Sequence, residues 1–195
     1  MKQYNKNGFT LIELMVAIAI FVLVMSTASG IFILALRHQE KALAKQELLS
    51  QTSFIIEYMS RGIRMAKRQR ADRPDCVPIG LNFETPASNH IRFLKWDHLA
   101  LAGAGGFVCY EFFLDTATHR LMKRRAGGIA VPLTSAKLEV IRFRVNIIGD
   151  ASPEEIPPEQ PKVTIALEIR GRGRTEQERP QIYFQTTVSQ RDLDI

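Results

Sequence analysis

The chain has 195 residues, of which 46% are hydrophobic, and a formal net charge of +6. This length suits one ordinary domain together with a membrane segment. The basic excess is modest, and it is weaker than a dedicated nucleic-acid-binding domain requires.

The first predicted element is a membrane-spanning helix. No charged residue occurs from Leu14 to Leu36, a span of 23 residues, and about 20 apolar residues cross the hydrocarbon core of a bilayer. A buried helix of a soluble protein rarely stays apolar on every face for so long. Lys2 and Lys6 precede the run, so the positive-inside tendency predicts a cytoplasmic N-terminus and export of everything after Leu36.

A cleaved secretory signal is the alternative interpretation of this segment. The small residues from Ser26 to Gly30 resemble a signal-peptidase site, which would follow the apolar run. The run continues beyond them as far as Leu36. This continuation favours retention in the membrane.

Glu13 lies inside the apolar segment, because Phe9-Thr10-Leu11-Ile12 already precedes it. A charged side chain costs about 2.5–3.5 kcal/mol at the centre of a membrane helix and less near its ends. Either the carboxylate reaches the headgroup layer, or a positive charge on a second helix meets it. Cleavage after Gly8 would create such a charge, the new α-amine of Phe9.

The stretch Gly8-Phe9-Thr10-Leu11-Ile12-Glu13, after a short basic leader and before an apolar helix, resembles the signature of prepilins. These are type IV pilins and the pseudopilins of type II secretion and competence systems. The resemblance implies cleavage by a membrane prepilin peptidase between Gly8 and Phe9, and N-methylation of Phe9. It also implies that Glu13 and Thr10 serve filament assembly with other pilin or pseudopilin subunits, at an inner-membrane assembly platform. It covers about the first 40 residues.

One departure concerns proline. Many major type IV pilins carry a helix-breaking proline in the apolar segment, whereas this chain has none between Phe9 and Arg73. Glycine lowers helix stability by about 1 kcal/mol and proline by about 3 kcal/mol. Gly30 therefore favours local unwinding of the helix less strongly than a proline would. The missing proline also disfavours a role as the main subunit of a long pilus.

Four segments follow from these patterns: a leader over 1–8, a transmembrane helix over 9–36, an amphipathic continuation over 37–70 and a β-rich head over 71–195. The helix is expected to run from Phe9 to about Gln69. Its second half carries one stripe at spacings of three and four, which predicts a buried face: Leu48, Thr52, Ile55, Met59, Ile63 and Ala66. The opposite face is polar: Lys45, Gln46, Glu57, Arg61, Arg64 and Lys67.

The head alternates apolar and polar residues in several short runs, which is typical of half-buried strands. Strands are predicted at 91–94, 141–147, 163–169 and 182–188, and a hairpin at 108–114 and 120–123. An antiparallel sheet can pack one face on a helix and leave the other in water. The expected fold is α+β, a long N-terminal helix packed on an antiparallel β-sheet head, which the pilin resemblance also implies. Pro153, Pro157, Pro158 and Pro161 exclude regular structure between two of the strands.

Catalytic and metal-binding patterns are lacking. Gly103–Gly106 has neither the lysine nor the hydroxyl residue of a phosphate-binding loop and is interpreted as a turn. No serine or cysteine lies in a nucleophile motif. The histidines show no metal-ligand spacing, although His90 and His98 with Asp97 would form a site if folding joined them. We therefore expect no enzyme activity, no metal and no cofactor.

Two features leave alternatives open. Cys76 and Cys109 both fall in the exported part, where they would form one disulfide or remain free buried thiols. Three basic groups would attract DNA phosphates if they met on one face, but nearby glutamates favour an ordinary solvated surface. These groups are Arg61, Arg64, Lys67, Arg68, Arg70 and Arg73; Lys123, Arg124 and Arg125; and Arg170, Arg172 and Arg174.

The sequence thus predicts a subunit of a type IV pilus or type II secretion pseudopilus. It would be a single-pass inner-membrane protein in contact with membrane lipid, and later part of a periplasmic or cell-surface filament. The long head, the missing proline and the Pro-rich loop favour a minor subunit, similar in form to pseudopilins of the J or W type. One alternative is a single-pass membrane protein that displays a non-polymerising β-rich binding domain. Another is a DNA-uptake pseudopilin of a competence system.

Overall fold

The computed structural model describes residues 8–98, 100, 105–150, 160–173 and 179–191. It contains the helix α1 and nine strands, and residues 1–43 and 44–195 form separate compact units. The bounds are α1 Leu11–Arg64, β1 Ala66–Lys67, β2 Phe83–Ala87, β3 His90–Asp97, β4 Gly106–Asp115, β5 Arg120–Arg125, β6 Val131–Pro132, β7 Leu138–Ile148, β8 Lys162–Gly171 and β9 Gln181–Ser189. The α+β class expected from the sequence is confirmed.

α1 is shorter than predicted at both ends. It begins at Leu11, because Thr10 caps it, and it ends at Arg64 instead of Gln69. The early end has a physical cause: Ala66 and Lys67 leave the helix to pair with Lys95 and Leu94 of β3. The helix continues without a break through Gly30.

The strands of the described residues form two antiparallel sheets. Sheet A has the order β1-β3-β4-β5-β6, with β2 also paired to β3, and sheet B has the order β7-β8-β9. The predicted hairpin is β4 and β5, in which Asp115 pairs with Arg120 beside the turn. Each predicted strand is present, while β1, β2 and β6 carried too few residues or too little alternation to be predicted.

The buried face of α1 is the stripe that the spacing predicted. Its six members, from Leu48 to Ala66, are each at most 3% exposed, although Ala66 belongs to β1. They share one core with side chains of both sheets, among them Phe93 of sheet A and Leu167 of sheet B. A single apolar stripe on α1 therefore covers two sheets at once.

Gly62 marks the closest approach of α1 to sheet A. A Cβ atom at this position would lie 3.2 Å from Cζ of Phe93 and 3.6 Å from the ring of Phe112. These two rings contact each other with centroids 5.6 Å apart. The missing side chain lets the helix backbone rest directly on the aromatic core.

Candidate functional site at the start of the helix

The predicted cleavage residues lie outside regular secondary structure. Gly8, Phe9 and Thr10 precede α1, and all three are exposed. A Cβ atom at Gly8 would meet nothing within 4 Å. The Gly8–Phe9 peptide bond is therefore accessible in the isolated chain, free of the helical hydrogen bonds that begin after it.

Thr10 is the N-cap of α1. Its Oγ1 accepts a hydrogen bond from the backbone N–H of Glu13 at 3.4 Å, and its carbonyl accepts one from Leu14 at 3.2 Å. Threonine followed three residues later by glutamate is the pattern of a capping box. The helix dipole also favours an acidic residue in the first turn. The pattern was visible in the sequence, but the sequence analysis did not use it.

The rest of this first unit presents a continuous apolar surface. α1 is long and apolar enough to cross a membrane, and its side chains from Leu14 to Leu36 are exposed in the isolated chain. Two of its hydroxyl groups bond within the helix: Thr27 donates to the carbonyl of Val24 at 2.9 Å and Ser29 to that of Met25 at 2.8 Å. The lateral surface thus suits lipid or other apolar helices.

Glu13 is the single charged residue from Phe9 to Leu36. It lies in the first turn of α1, where the helix dipole lowers the cost of its charge. The structure places Gly8, Phe9, Thr10 and Glu13 within six consecutive residues at one helix end. This end is the chain's candidate functional site.

In the head, Cys76 and Cys109 form a disulfide with Cα atoms 5.3 Å apart. Cys109 lies on the face of sheet A that points away from α1, and Cys76 lies in the loop between β1 and β2. With Val77 and Leu94 they form a small second core. The bond fastens this loop onto the outer face of sheet A.

Glu111 is the centre of a polar network on the same outer face. Its side chain, 9% exposed, pairs with His90 Nε2 at 3.2 Å, Arg92 Nε at 3.4 Å and Arg124 Nη1 at 3.2 Å. A buried carboxylate with several cationic partners satisfies its hydrogen-bonding capacity. The pKa of His90 is lowered, because burial disfavours its charged form more than Glu111 favours it.

The metal site considered from the sequence is not assembled. His90 and His98 lie at opposite ends of β3, about 26 Å apart for eight residues of strand. Asp97 instead forms an ion pair with Arg125 Nη2 at 2.9 Å and accepts a hydrogen bond from the hydroxyl of Tyr110. Burial, followed by that hydrogen bond, raises the pKa of Tyr110. Within the ranges that the structure describes, no group of three His, Cys, Asp or Glu residues is placed to hold a metal.

The three basic groups do not converge as one free cationic face. In the β5 group Lys123 donates to Tyr58 at 2.8 Å, while Arg124 and Arg125 pair with the carboxylates named above. Arg61 pairs with Glu57 at 2.7 Å and Arg170 with Glu139 at 2.9 Å, whereas Arg174 lies outside the described residues. Arg61, Arg124, Arg125 and Arg170 thus each have a carboxylate partner that compensates their charge locally.

The glycine cluster is consistent with a turn where the structure describes it. Gly105 has φ of +78°, and a Cβ atom there would lie 2.9 Å from Cζ2 of Trp96. Gly106 begins β4. Gly103 lies outside the described residues, as do Pro153, Pro157 and Pro158 of the predicted irregular loop.

Asp150 is a structural anchor that the sequence analysis missed. Its carboxylate accepts hydrogen bonds from Asn82 N at 3.0 Å, Asn82 Nδ2 at 2.8 Å and Phe83 N at 2.8 Å. These bonds join the end of β7 to the start of β2. The partners are 67 and 68 residues apart, so no local pattern indicates the contact.

Comparison with known proteins matches the start of the chain to one family model. Residues 3–29 match the model described as the prokaryotic N-terminal methylation motif. This match confirms the signature identified in the sequence and leaves the head unmatched. No curated protein and no solved structure matches the chain.

Proposed function

We propose that this chain, whose N-terminus is that of the type IV pilin and pseudopilin family, is a filament subunit processed by a prepilin peptidase. The observation that carries the proposal is the match of residues 3–29 to the methylation motif. The site adds an accessible Gly8–Phe9 bond and a capped helix with Glu13 in its first turn. Cleavage after Gly8 followed by methylation of the Phe9 amine is the processing that this arrangement supports.

Glu13 acts in assembly through the new α-amine of a neighbouring subunit. A carboxylate in an apolar segment costs about 2.5–3.5 kcal/mol at the helix centre and less near the end. An ammonium group at about 4 Å returns about 4 kcal/mol at an effective dielectric constant of 20. The contact therefore offsets the cost of the charge only when two helices are set in one register.

The chain is first a single-pass inner-membrane protein with its N-terminus in the cytoplasm. Lys2 and Lys6 favour this orientation, and the uncharged surface from Leu14 to Leu36 suits the bilayer and then a helical filament core. The head, with its disulfide, belongs to the exported side, because disulfides persist in oxidising compartments.

Within this family, we propose a minor subunit of a pilus or type II secretion pseudopilus, of the J or W type. A head with two sheets over one helix is large for a repeating subunit, and the helix lacks a proline between Phe9 and Arg73. Filament composition tests the assignment: a minor subunit is expected at a small fraction of the main subunit in purified filaments.

Glu13→Val tests the assembly contact. In cells that contain the peptidase and the assembly platform, the variant is expected to insert into the membrane but to be missing from sheared filaments. Thr27→Val is the matched control, because it removes a polar atom from the same helix whose only bonds are internal. Normal incorporation of Glu13→Val would contradict the proposed contact.

Mass spectrometry of the membrane-extracted chain tests processing. A mature N-terminus at methylated Phe9 is expected. An intact Met1 would instead support the alternative of a single-pass protein with a non-polymerising binding domain, and a terminus after Ala28 would indicate a secreted protein.

A further inference from the structure

A cationic pocket lies in the head where α1 ends. It is lined by Arg64, Met65, Lys67, Trp96 and Arg191, and its volume is about 420 Å³. Ligand pockets for small molecules range over about 300–1,000 Å³. The described residues that line the pocket are three cations, one indole ring and Met65, with no carboxylate among them.

The backbone around the pocket is fixed by hydrogen bonds. Arg191 N donates to the carbonyl of Arg64 at 3.0 Å, and the buried Gln190 side chain donates from Nε2 to the carbonyl of Ala66 at 2.8 Å. β1 pairs Lys67 with Leu94, the residue two positions before Trp96 on β3. Three distant segments thus meet in a defined arrangement.

Arg64 and Arg191 differ from Arg61, another basic residue near the end of α1. Neither guanidinium has a hydrogen bond or ion pair with the described part of the chain, whereas Arg61, one turn earlier on α1, pairs with Glu57 at 2.7 Å. Both arginines line the same pocket, and their like charges repel each other. An anion between them would relieve that repulsion.

Trp96 supplies an aromatic surface beside these cations. Its ring is 40% exposed, and it packs edge-on against Phe107 with centroids 5.0 Å apart. Exposed aromatic rings next to arginine and lysine are the means by which proteins bind single-stranded nucleic acid: phosphates contact the cations and bases stack on the rings. In a duplex the bases are already stacked and the indole has no free base to bind.

We propose that this pocket binds one nucleotide unit of single-stranded DNA, with the phosphate between Arg64 and Arg191 and the base on Trp96. The proposal goes beyond a role in filament assembly, because all the lining residues belong to the head. It is also independent of the basic groups around β5 and β8, in which Arg124, Arg125 and Arg170 pair with carboxylates. The sequence analysis missed the site because Arg191 is far from Arg64 along the chain.

Trp96 is the single tryptophan of the chain, so its fluorescence reports on ligands near its ring. Because Trp96 also lines a second pocket with Arg92 and Arg125, the Arg64 and Arg191 variants assign the signal to this pocket. The full chain in non-ionic detergent micelles is titrated with oligo(dT), with duplex DNA of the same length and with inorganic phosphate. Oligo(dT) is expected to quench the emission and to bind at least tenfold more tightly than the duplex. Affinity should fall with salt by about 0.7 in log–log slope for each phosphate contact.

Arg64→Gln and Arg191→Gln are each expected to weaken oligo(dT) binding about tenfold, and the double variant should reduce the salt slope by about 0.7, the contribution of the one phosphate between them. Arg61→Gln is the matched control, expected to change affinity less than twofold. The stacking of a base on Trp96 is tested by the fluorescence anisotropy of a labelled oligonucleotide. Trp96→Phe should keep most of the affinity, whereas Trp96→Leu should bind about tenfold more weakly. Circular dichroism of each variant verifies folding.

Four results would overturn the proposal. One is the absence of quenching by oligo(dT) at low salt. Another is an equal loss of oligo(dT) affinity in Arg61→Gln and Arg64→Gln, which would show only a nonspecific electrostatic attraction of DNA to the basic surface. The third is binding that arises only after Asp192→Asn and Asp194→Asn, which would assign the pocket to the chain's own acidic residues. Preferential binding of an acidic peptide would likewise replace DNA by a protein partner.

Discussion

Gly62 provides a quantitative test of how α1 packs on the head. Replacing it by alanine adds one carbon at 3.2 Å from Phe93, and valine adds two more in the same space. Ordinary carbon contacts lie at about 3.5–4.0 Å, so the ring of Phe93 must shift by a few tenths of an ångström for alanine, and the ring of Phe112, at 3.6 Å, is in ordinary contact until valine adds its methyl groups. The contact of Phe93 with Phe112, at a centroid distance of 5.6 Å, opposes this movement.

Two opposing effects determine how much a substitution of Gly62 changes the stability of the head. Alanine gains about 1 kcal/mol over glycine in a helix, while overpacking a filled core costs about 1–3 kcal/mol. Gly62→Ala is therefore expected to destabilise the head by about 0–2 kcal/mol. For Gly62→Val the steric cost dominates, and we expect a loss of about 3 kcal/mol.

Thermal unfolding in detergent micelles, followed by near-ultraviolet circular dichroism, measures the effect. For a chain of this size 1 kcal/mol shifts Tm by about 2–4 °C, so Gly62→Val should lower Tm by about 6–12 °C. Gly30→Ala is the matched control, because no atom lies within 4 Å of its added carbon, and it should not lower Tm. A Gly62→Val variant as stable as the parent would refute the close approach of helix and sheet.

Three further predictions concern the head. The double variant Cys76→Ser, Cys109→Ser should lose about 4 kcal/mol, since the bond closes a loop with a sequence separation of 33; the parent in reducing agent should show the same fall in the urea midpoint. Asp150→Asn should cost about 2 kcal/mol in urea unfolding because charge-assisted bonds to Asn82 and Phe83 are lost, whereas Asp115→Asn, at an exposed turn, should cost less than about 1 kcal/mol. Because the folded pKa of His90 is lowered, the unfolded chain takes up this proton first, so stability should fall as pH drops from 7 to about 5. His90→Gln should flatten that decline in Tm, and an unchanged decline would contradict the burial of His90.

Local patterns predicted the elements whose side chains alternate or recur strictly. In β7, β8 and β9 one face is more buried than the other. Their sequences therefore alternate with a period of two, which predicts a strand. The stripe on α1 was equally legible, because one face of a helix meets the core at spacings of three and four. The motif at Gly8 to Glu13 was predicted from six consecutive residues.

Long-range contacts account for what the sequence did not predict. α1 ends at Arg64 because β1 pairs with β3, and nothing in the helical pattern up to Gln69 indicates that competition. The hydrogen bonds of Asp150 and the hydrogen bond between Arg191 and Arg64 likewise form only when distant parts of the chain fold together. Residues that meet only after folding leave no periodic signal along the chain.

In the proposed assembly into a filament, the uncharged stretch of α1 has a thermodynamic consequence for its transfer out of the membrane. Lipid tails and the flanks of apolar helices solvate such a surface almost equally well, so the hydrophobic effect gives no net drive from one to the other. Moving the segment out of a bilayer and into a bundle is then close to isoenergetic along its length. The direction of that exchange has to be set at the polar end of the helix, where a single carboxylate distinguishes one surrounding from the other.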